Sequence, residues 1–237
     1  MDFKENSQMN NLVNDALLLI EQNFYFLHIG EFFTTLSKRK NLTVNNNLGI
    51  KKYFENETIY HFNANIIKEL LLDAKKSDVK QTILFEYFVE FNAFRGICMA
   101  MVEALRLETP FRNFIQDKLK DKFEDFFDIV SFIRNVLSHN IHADIYLLEK
   151  DYAGTLKRIR RMNRDPNIFF NFLYSVNLPE INSPSYEYGF SCNINFESLK
   201  ENKPFLEVIP LWELMMISEL CFNFVFAYKK VNIKLYY

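Results

Sequence analysis

The sequence predicts a mainly α-helical bundle with a small β-hairpin inserted near residues 186–209. Only 5 Gly and 6 Pro occur in 237 residues, too few breakers for a many-turned β fold. Hydrophobic residues make up 49% of the chain, enough for a sizeable core. With 26 Phe and 12 Tyr, much of that core must be aromatic, and part of the excess suits a subunit interface.

The elements follow in order. Residues 12–37 read as a helix ending at the basic run Lys38-Arg39-Lys40. Residues 41–49 are polar and Asn-rich, as a loop is. A second helix is expected over 66–76, around Leu70-Leu71-Leu72. Ser77 and Asp78 look like an N-cap for a long helix from 79 to about 107. Thr109-Pro110 is a stronger start signal, a cap residue followed by Pro at the first helical position. The helix that it opens runs to about His139, with a break near Lys120. A further helix over 147–163 stops at Asp165-Pro166, and a short apolar helix is expected over 168–176. Residues 186–196 partly alternate, as a strand does, with 205–209 as the expected hairpin partner. Pro210 opens a final helix through Trp212, Met216, Leu220 and Phe224. Residues 1–76 are read as an N-terminal helical extension packed on the core, and 77–237 as the main helical domain.

A formal charge of −2 and a pI near 6.1 argue against a globally basic nucleic-acid binder, while allowing a local basic patch. Cys98, Cys192 and Cys221 are far apart and in apolar surroundings, which predicts buried free thiols rather than a disulfide framework or a zinc site. The opening residues are polar, and no secretory signal is read in them. The most apolar stretch, 211–228, is interrupted by Glu213 and Glu219, so a core helix is expected there and not a membrane span. Together these features predict a cytoplasmic protein.

The helix before His139 carries an unusual pattern. Phe123, Phe126, Phe127, Ile129, Val130, Phe132, Ile133, Val136 and Leu137 cover most of its circumference. Glu124, Asp128, Ser131, Asn135, Ser138, His139 and His142 form one polar stripe at three- and four-residue spacings, apart from the adjacent pair Ser138-His139, with Asp125 and Arg134 just off it. Such a stripe faces water, or it lines a crevice or a dimer seam. Asn135 and His139 lie one above the other, and Arg134 can lean towards His139 from the neighbouring row. That trio suits a phosphodiester. Histidine titrates near neutrality and moves protons. Arginine grips phosphate oxygens with a planar fork. Ribonucleic acid brings its own nucleophile, the 2′-hydroxyl, so no metal or cofactor is called for.

Arg134-Asn135-Val136-Leu137-Ser138-His139 resembles the Arg-polar-x3-His signature of HEPN domains. The layout of a looser stretch, 79–228, is similar as well: a motif at the end of a long apolar helix, followed by an aromatic hairpin and a last helix. The resemblance implies a HEPN-like bundle and a metal-independent endoribonuclease of a toxin–antitoxin or antiviral defence setting. It implies a homodimer whose two motifs meet in one composite cleft, an RNA substrate, and a separate antitoxin or regulator protein. It makes His139 the proton-transfer residue, Arg134 the phosphate ligand and Asn135 an orienting residue, with Ser138 supporting. Some members of the family are non-catalytic and bind a nucleotide or a protein partner.

Other candidates are weaker. Lys157, Arg158, Arg160, Arg161 and Arg164 form a basic cluster that suits an RNA backbone, or else a solvated helix face. Glu86 and Glu90 lie one turn apart, and Glu90 is the better candidate to face the stripe and support the site. His139-x-x-His142-x-Asp144 has no familiar metal-ligand spacing, and no metal is expected. A plain scaffold, with Arg134 and His139 serving packing, is the remaining reading.

Overall fold

Helices dominate the chain in the computed structural model, which describes residues 3–38, 50–53, 59–62, 65, 79–140, 144–176 and 186–233. Helix α1 spans Phe3–Lys38, α2 Val79–Arg106, α3 Pro110–Leu119, α4 Phe123–His139, α5 Glu149–Arg161 and α6 Leu211–Ile233. Strands β1 (Ile50–Tyr53) and β2 (Ile59–Phe62) pair antiparallel, and so do β3 (Asn167–Val176) and β4 (Tyr186–Asn195). The chain divides into two compact units, residues 25–92 and residues 1–24 with 93–237. The boundary expected at 76/77, the helix over 66–76, the loop over 41–49 and the cap at Ser77-Asp78 all lie outside the described residues.

Within residues 25–92, β1 and β2 form a hairpin in register Ile50 with Phe62 and Tyr53 with Ile59. Neither strand is legible as such in the sequence. Gly30 allows α1 to approach α2 closely, because a Cβ there would sit 2.2 Å from Val89 Cγ1.

The larger unit is organised around α4. Phe123, Phe126, Ile129, Val130, Phe132, Ile133, Val136 and Leu137 are all buried, as the near-continuous apolar pattern requires. Phe126 meets Phe170 of β3 and Phe224 of α6, each at 5.7 Å between ring centroids. Phe132 packs edge-on against Phe196 at 5.4 Å. Thr109 caps α3 as expected, its Oγ1 accepting from the Arg112 N–H at 3.4 Å, with Pro110 behind it. The expected break falls at Lys120, where φ is +52° and a short turn over Lys120–Lys122 separates α3 from α4.

Two expectations are corrected. Residues 168–176 form strand β3 and not a short helix. Its burial alternates, Ile168 and Phe170 inside and Phe169 and Asn171 outside, and Phe, Ile, Tyr and Val suit a pleated, half-buried surface. The partner of β4 is therefore β3, in register Asn167 with Asn195, so the paired strands are 167–176 and 186–195. Residues 205–207 form a single helical turn, and Phe205 N–H donates to the Ile145 carbonyl at 2.9 Å. Leu147 exchanges backbone bonds with Asn202 and Lys203, each at 2.9 Å, which fixes the chain just before α5.

Cys98, Cys192 and Cys221 are buried free thiols. Burial pushes Cys98 up to about 12, which leaves it unreactive. Leu211–Lys229 is long and apolar enough to cross a membrane by length and composition. Leu214, Met216, Ile217, Leu220, Cys221, Phe224 and Val225 of this stretch are buried in the core, so it packs as a core helix.

Helices α1 and α2 also approach at Gly96, where a Cβ would lie 2.3 Å from Asn23 Oδ1. Gly96→Ala gains about 1 kcal/mol of helix propensity and meets an overpacking cost of about 2 kcal/mol. We expect a net loss near ~1 kcal/mol, read as a thermal midpoint lower by about 2–4 °C. In an Asn23→Ala background the same substitution should be neutral or stabilising. An unchanged midpoint in the parent background would contradict the close approach.

Candidate active site

Four residues of the polar stripe of α4, Glu124, Asp128, Asn135 and His139, are met from within the chain by α5. Glu124 and Asp128 pair with Arg158 of α5, and Asp128 also accepts from Arg164 just beyond that helix, at 2.6 Å. Asp125 pairs with Arg164 as well. Burial pushes the Asp128 carboxyl above its ordinary range, against the pull of the Arg158 and Arg164 guanidinium groups. The Arg158 guanidinium also lies over the Phe127 ring, 4.7 Å from its centroid.

Further along the stripe, Asn135 and His139 converge on one residue of α5, Asp151. Asn135 Nδ2 donates to the Asp151 carbonyl at 3.2 Å. His139 Nδ1 lies 2.6 Å from Asp151 Oδ1. The Asp151 side chain is 0% exposed and that of His139 is 33% exposed. The other carboxylate oxygen, Oδ2, accepts from the Leu148 N–H at 2.8 Å, reaching back to cap α5. An acid in the first turn is favoured there by the free N–H groups and the helix dipole.

The C-terminus of α4 is fixed with equal care. The helix ends at His139, as expected from Asn140, whose backbone is extended. Asn140 Nδ2 donates to the Val136 carbonyl at 2.9 Å. Arg95 of α2 donates to the carbonyls of Leu137, at 2.5 Å, and Asn140, at 3.1 Å. The two bonds from Arg95 satisfy carbonyls at a helix end that lack a partner within the helix. His139 therefore sits between a braced helix end and a buried carboxylate.

Arg134 stands apart from this group. At 100° per residue it is about 140° around α4 from His139. Its Nε is buried without a hydrogen-bond partner. Burial lowers its pKa and the charge of Arg106 lowers it further, while Glu103 opposes them, so it lies on the side of α2. Arg106 and Glu103 pair with each other there at 2.8 Å. Ser138 is exposed. Glu90 is buried, and it belongs to the unit of residues 25–92, while Arg134, Asn135, His139 and Asp151 belong to the other.

The basic cluster is corrected in part. Arg158 and Arg164 serve the buried Asp128 and the half-buried Glu124 and Asp125 of α4, and Arg160 pairs with Glu197 at 2.9 Å. Their acids come from other elements, so sequence proximity hid them. Lys157 and Arg161 are exposed. His142 lies outside the described residues. Among the described residues no group of three or more His, Cys, Asp or Glu side chains is placed to hold a metal ion.

Sequence reasoning missed Asp151 and Arg95. The signal for Asp151 was an acid in the first turn of the next helix, twelve residues beyond His139. For Arg95 it was a lone cation on the apolar run of α2. Comparison of the chain with protein-family models, curated proteins and solved structures returns no match.

The two kinds of arginine separate by measurement. Arg158→Met leaves Asp128 short of a partner and should cost about 3 kcal/mol. Lys157→Met and Arg161→Met should stay within about 0.5 kcal/mol of the parent. Denaturant titration of the three variants checks this, and equal midpoints would contradict the inward role of Arg158.

Proposed function

We propose that the protein is a metal-independent endoribonuclease of the HEPN type, a cytoplasmic homodimer in a toxin–antitoxin or antiviral defence setting. The observation that carries the reading is the placement of His139. Its ring is partly exposed at a braced helix end, held at Nδ1 by a buried carboxylate, one turn above Asn135. A histidine so held suits proton transfer at its other nitrogen.

The 2′-oxygen of the RNA attacks the adjacent phosphorus while its proton passes to His139. The bond from phosphorus to the 5′-oxygen breaks, and that oxygen takes a proton from water. The products carry a 2′,3′-cyclic phosphate and a 5′-hydroxyl. Arg134, which makes no hydrogen bond through its buried Nε, meets the phosphate oxygens through the outer nitrogens of its guanidinium as charge builds on them. Within one chain it faces another side of α4 from His139. A composite cleft between two copies removes that difficulty, since Arg134 of one copy then works beside the motif of the other. Dimerisation also offers a way to cover apolar residues that α1 leaves exposed, including Leu12, Leu18 and Leu19. Lys157 and Arg161 remain as cations for the RNA backbone, and a separate antitoxin or regulator would control the activity.

The same separation of Arg134 from His139 favours a second reading, a non-catalytic HEPN-like dimeric module that binds a nucleotide or a protein partner.

Purified protein, with excess chelator, should cleave a labelled mixed-sequence RNA or tRNA. His139→Ala and Arg134→Ala should each lose at least a hundredfold in rate while staying folded and dimeric by sedimentation. No cleavage by a folded, dimeric parent would favour the binding module. Equal cleavage by all three proteins would overturn the assignment of the site.

A further inference from the structure

The contact between His139 and Asp151 has a consequence for where the histidine keeps its proton. A carboxylate has no hydrogen to give, so at 2.6 Å the ring must donate from Nδ1 to Oδ1. Both carboxylate oxygens are engaged, Oδ1 by the ring and Oδ2 by the Leu148 N–H. The side chain is wholly buried, so it has no alternative partner in water. The Asp151 carbonyl holds Asn135, which ties the same turn of α5 to the turn of α4 below His139. A neutral ring protonated at Nδ1 has one lone pair left, on Nε2, and a third of the side chain remains exposed.

We propose that Asp151 is a positioning residue for His139, fixing the neutral ring as the Nδ1–H tautomer so that Nε2 is the base. It also balances the charge that the ring takes on when Nε2 receives a proton. The use of that base rests on the ribonuclease reading above, while the tautomer rests on the geometry alone. Helix α5 is then part of the catalytic apparatus as well as a cover for α4. An acid in this place does for a helical histidine what the buried aspartate does in a serine-protease triad, where asparagine in its stead leaves the wrong tautomer.

Asp151→Asn is the decisive variant. Its side-chain oxygen can still accept from Leu148, so the cap of α5 survives, and its NH2 group then faces Nδ1. The ring nitrogen must accept, and the proton moves to Nε2. Long-range proton–nitrogen correlation spectra of histidine-labelled protein read this directly, with the His139 signals identified by their loss in His139→Ala. The parent should show neutral His139 protonated on Nδ1, and Asp151→Asn should show it protonated on Nε2. Asn135→Ala, which removes a bond to the Asp151 backbone and leaves the carboxylate alone, should keep the Nδ1–H form. In the cleavage assay, kcat of Asp151→Asn should fall by roughly a thousandfold or more, with KM within about twofold. Nε2–H in the parent, an unchanged tautomer in Asp151→Asn, or cleavage by that variant at the parental rate would each overturn the proposal. A tautomer switch in a protein that cleaves no RNA would uphold the role of Asp151 and sink the nuclease reading alone.

Discussion

Two buried carboxylates hold α4 and α5 together, and the rest of the larger unit depends on how they are matched. Asp128 and Asp151 are both withdrawn from water. An unmatched charge there would cost several kcal/mol, so each must be met by fixed partners. Asp128 is met by two guanidinium groups. Asp151 is met by a backbone N–H and the ring of His139. The first match is structural, because both arginines are fully committed. The second engages only Nδ1 of the ring and leaves Nε2 outside the match.

The same logic explains the apolar surroundings. Rings of Phe126, Phe132, Phe170, Phe196 and Phe224 pack around the other faces of α4 and fix its rotation. Once that rotation is set, Glu124, Asp128, Asn135 and His139 of the polar stripe face α5. Arg95 then holds the last turn, so the position of His139 is determined from both ends. Such bracing is what a proton-transfer residue requires, since small displacements of a reacting group cost rate steeply.

Much of the helical framework could be read from local signals. Thr109-Pro110, the end of α4 at Asn140, the break at Lys120 and the core character of 211–228 each depend on neighbouring residues, and each appears where expected. Pairing over longer distances was not legible. The segment 168–176 is apolar enough for a buried helix or a buried strand, and only the presence of β4 decides between them. Likewise the cluster around Arg158 looked free because Glu124 and Asp128 lie some thirty residues earlier. The stripe on α4 was visible, but its occupant was not, since a polar face reads the same whether water, a partner or another helix covers it. Asp151 fell between these cases: an ordinary first-turn acid by sequence, and the residue on which Asn135 and His139 converge in space.

Attack by the 2′-hydroxyl under the control of His139 is the central claim, and the ends of the products test it most directly. Purified protein should be given one RNA in two forms, unmodified and 2′-O-methylated throughout, and the fragments examined by mass spectrometry. Fragments ending in a 2′,3′-cyclic phosphate from the unmodified strand, with the methylated strand intact, are the predicted result. Cleavage of the methylated strand, fragments ending in a 3′-hydroxyl, or no cleavage of either would contradict it.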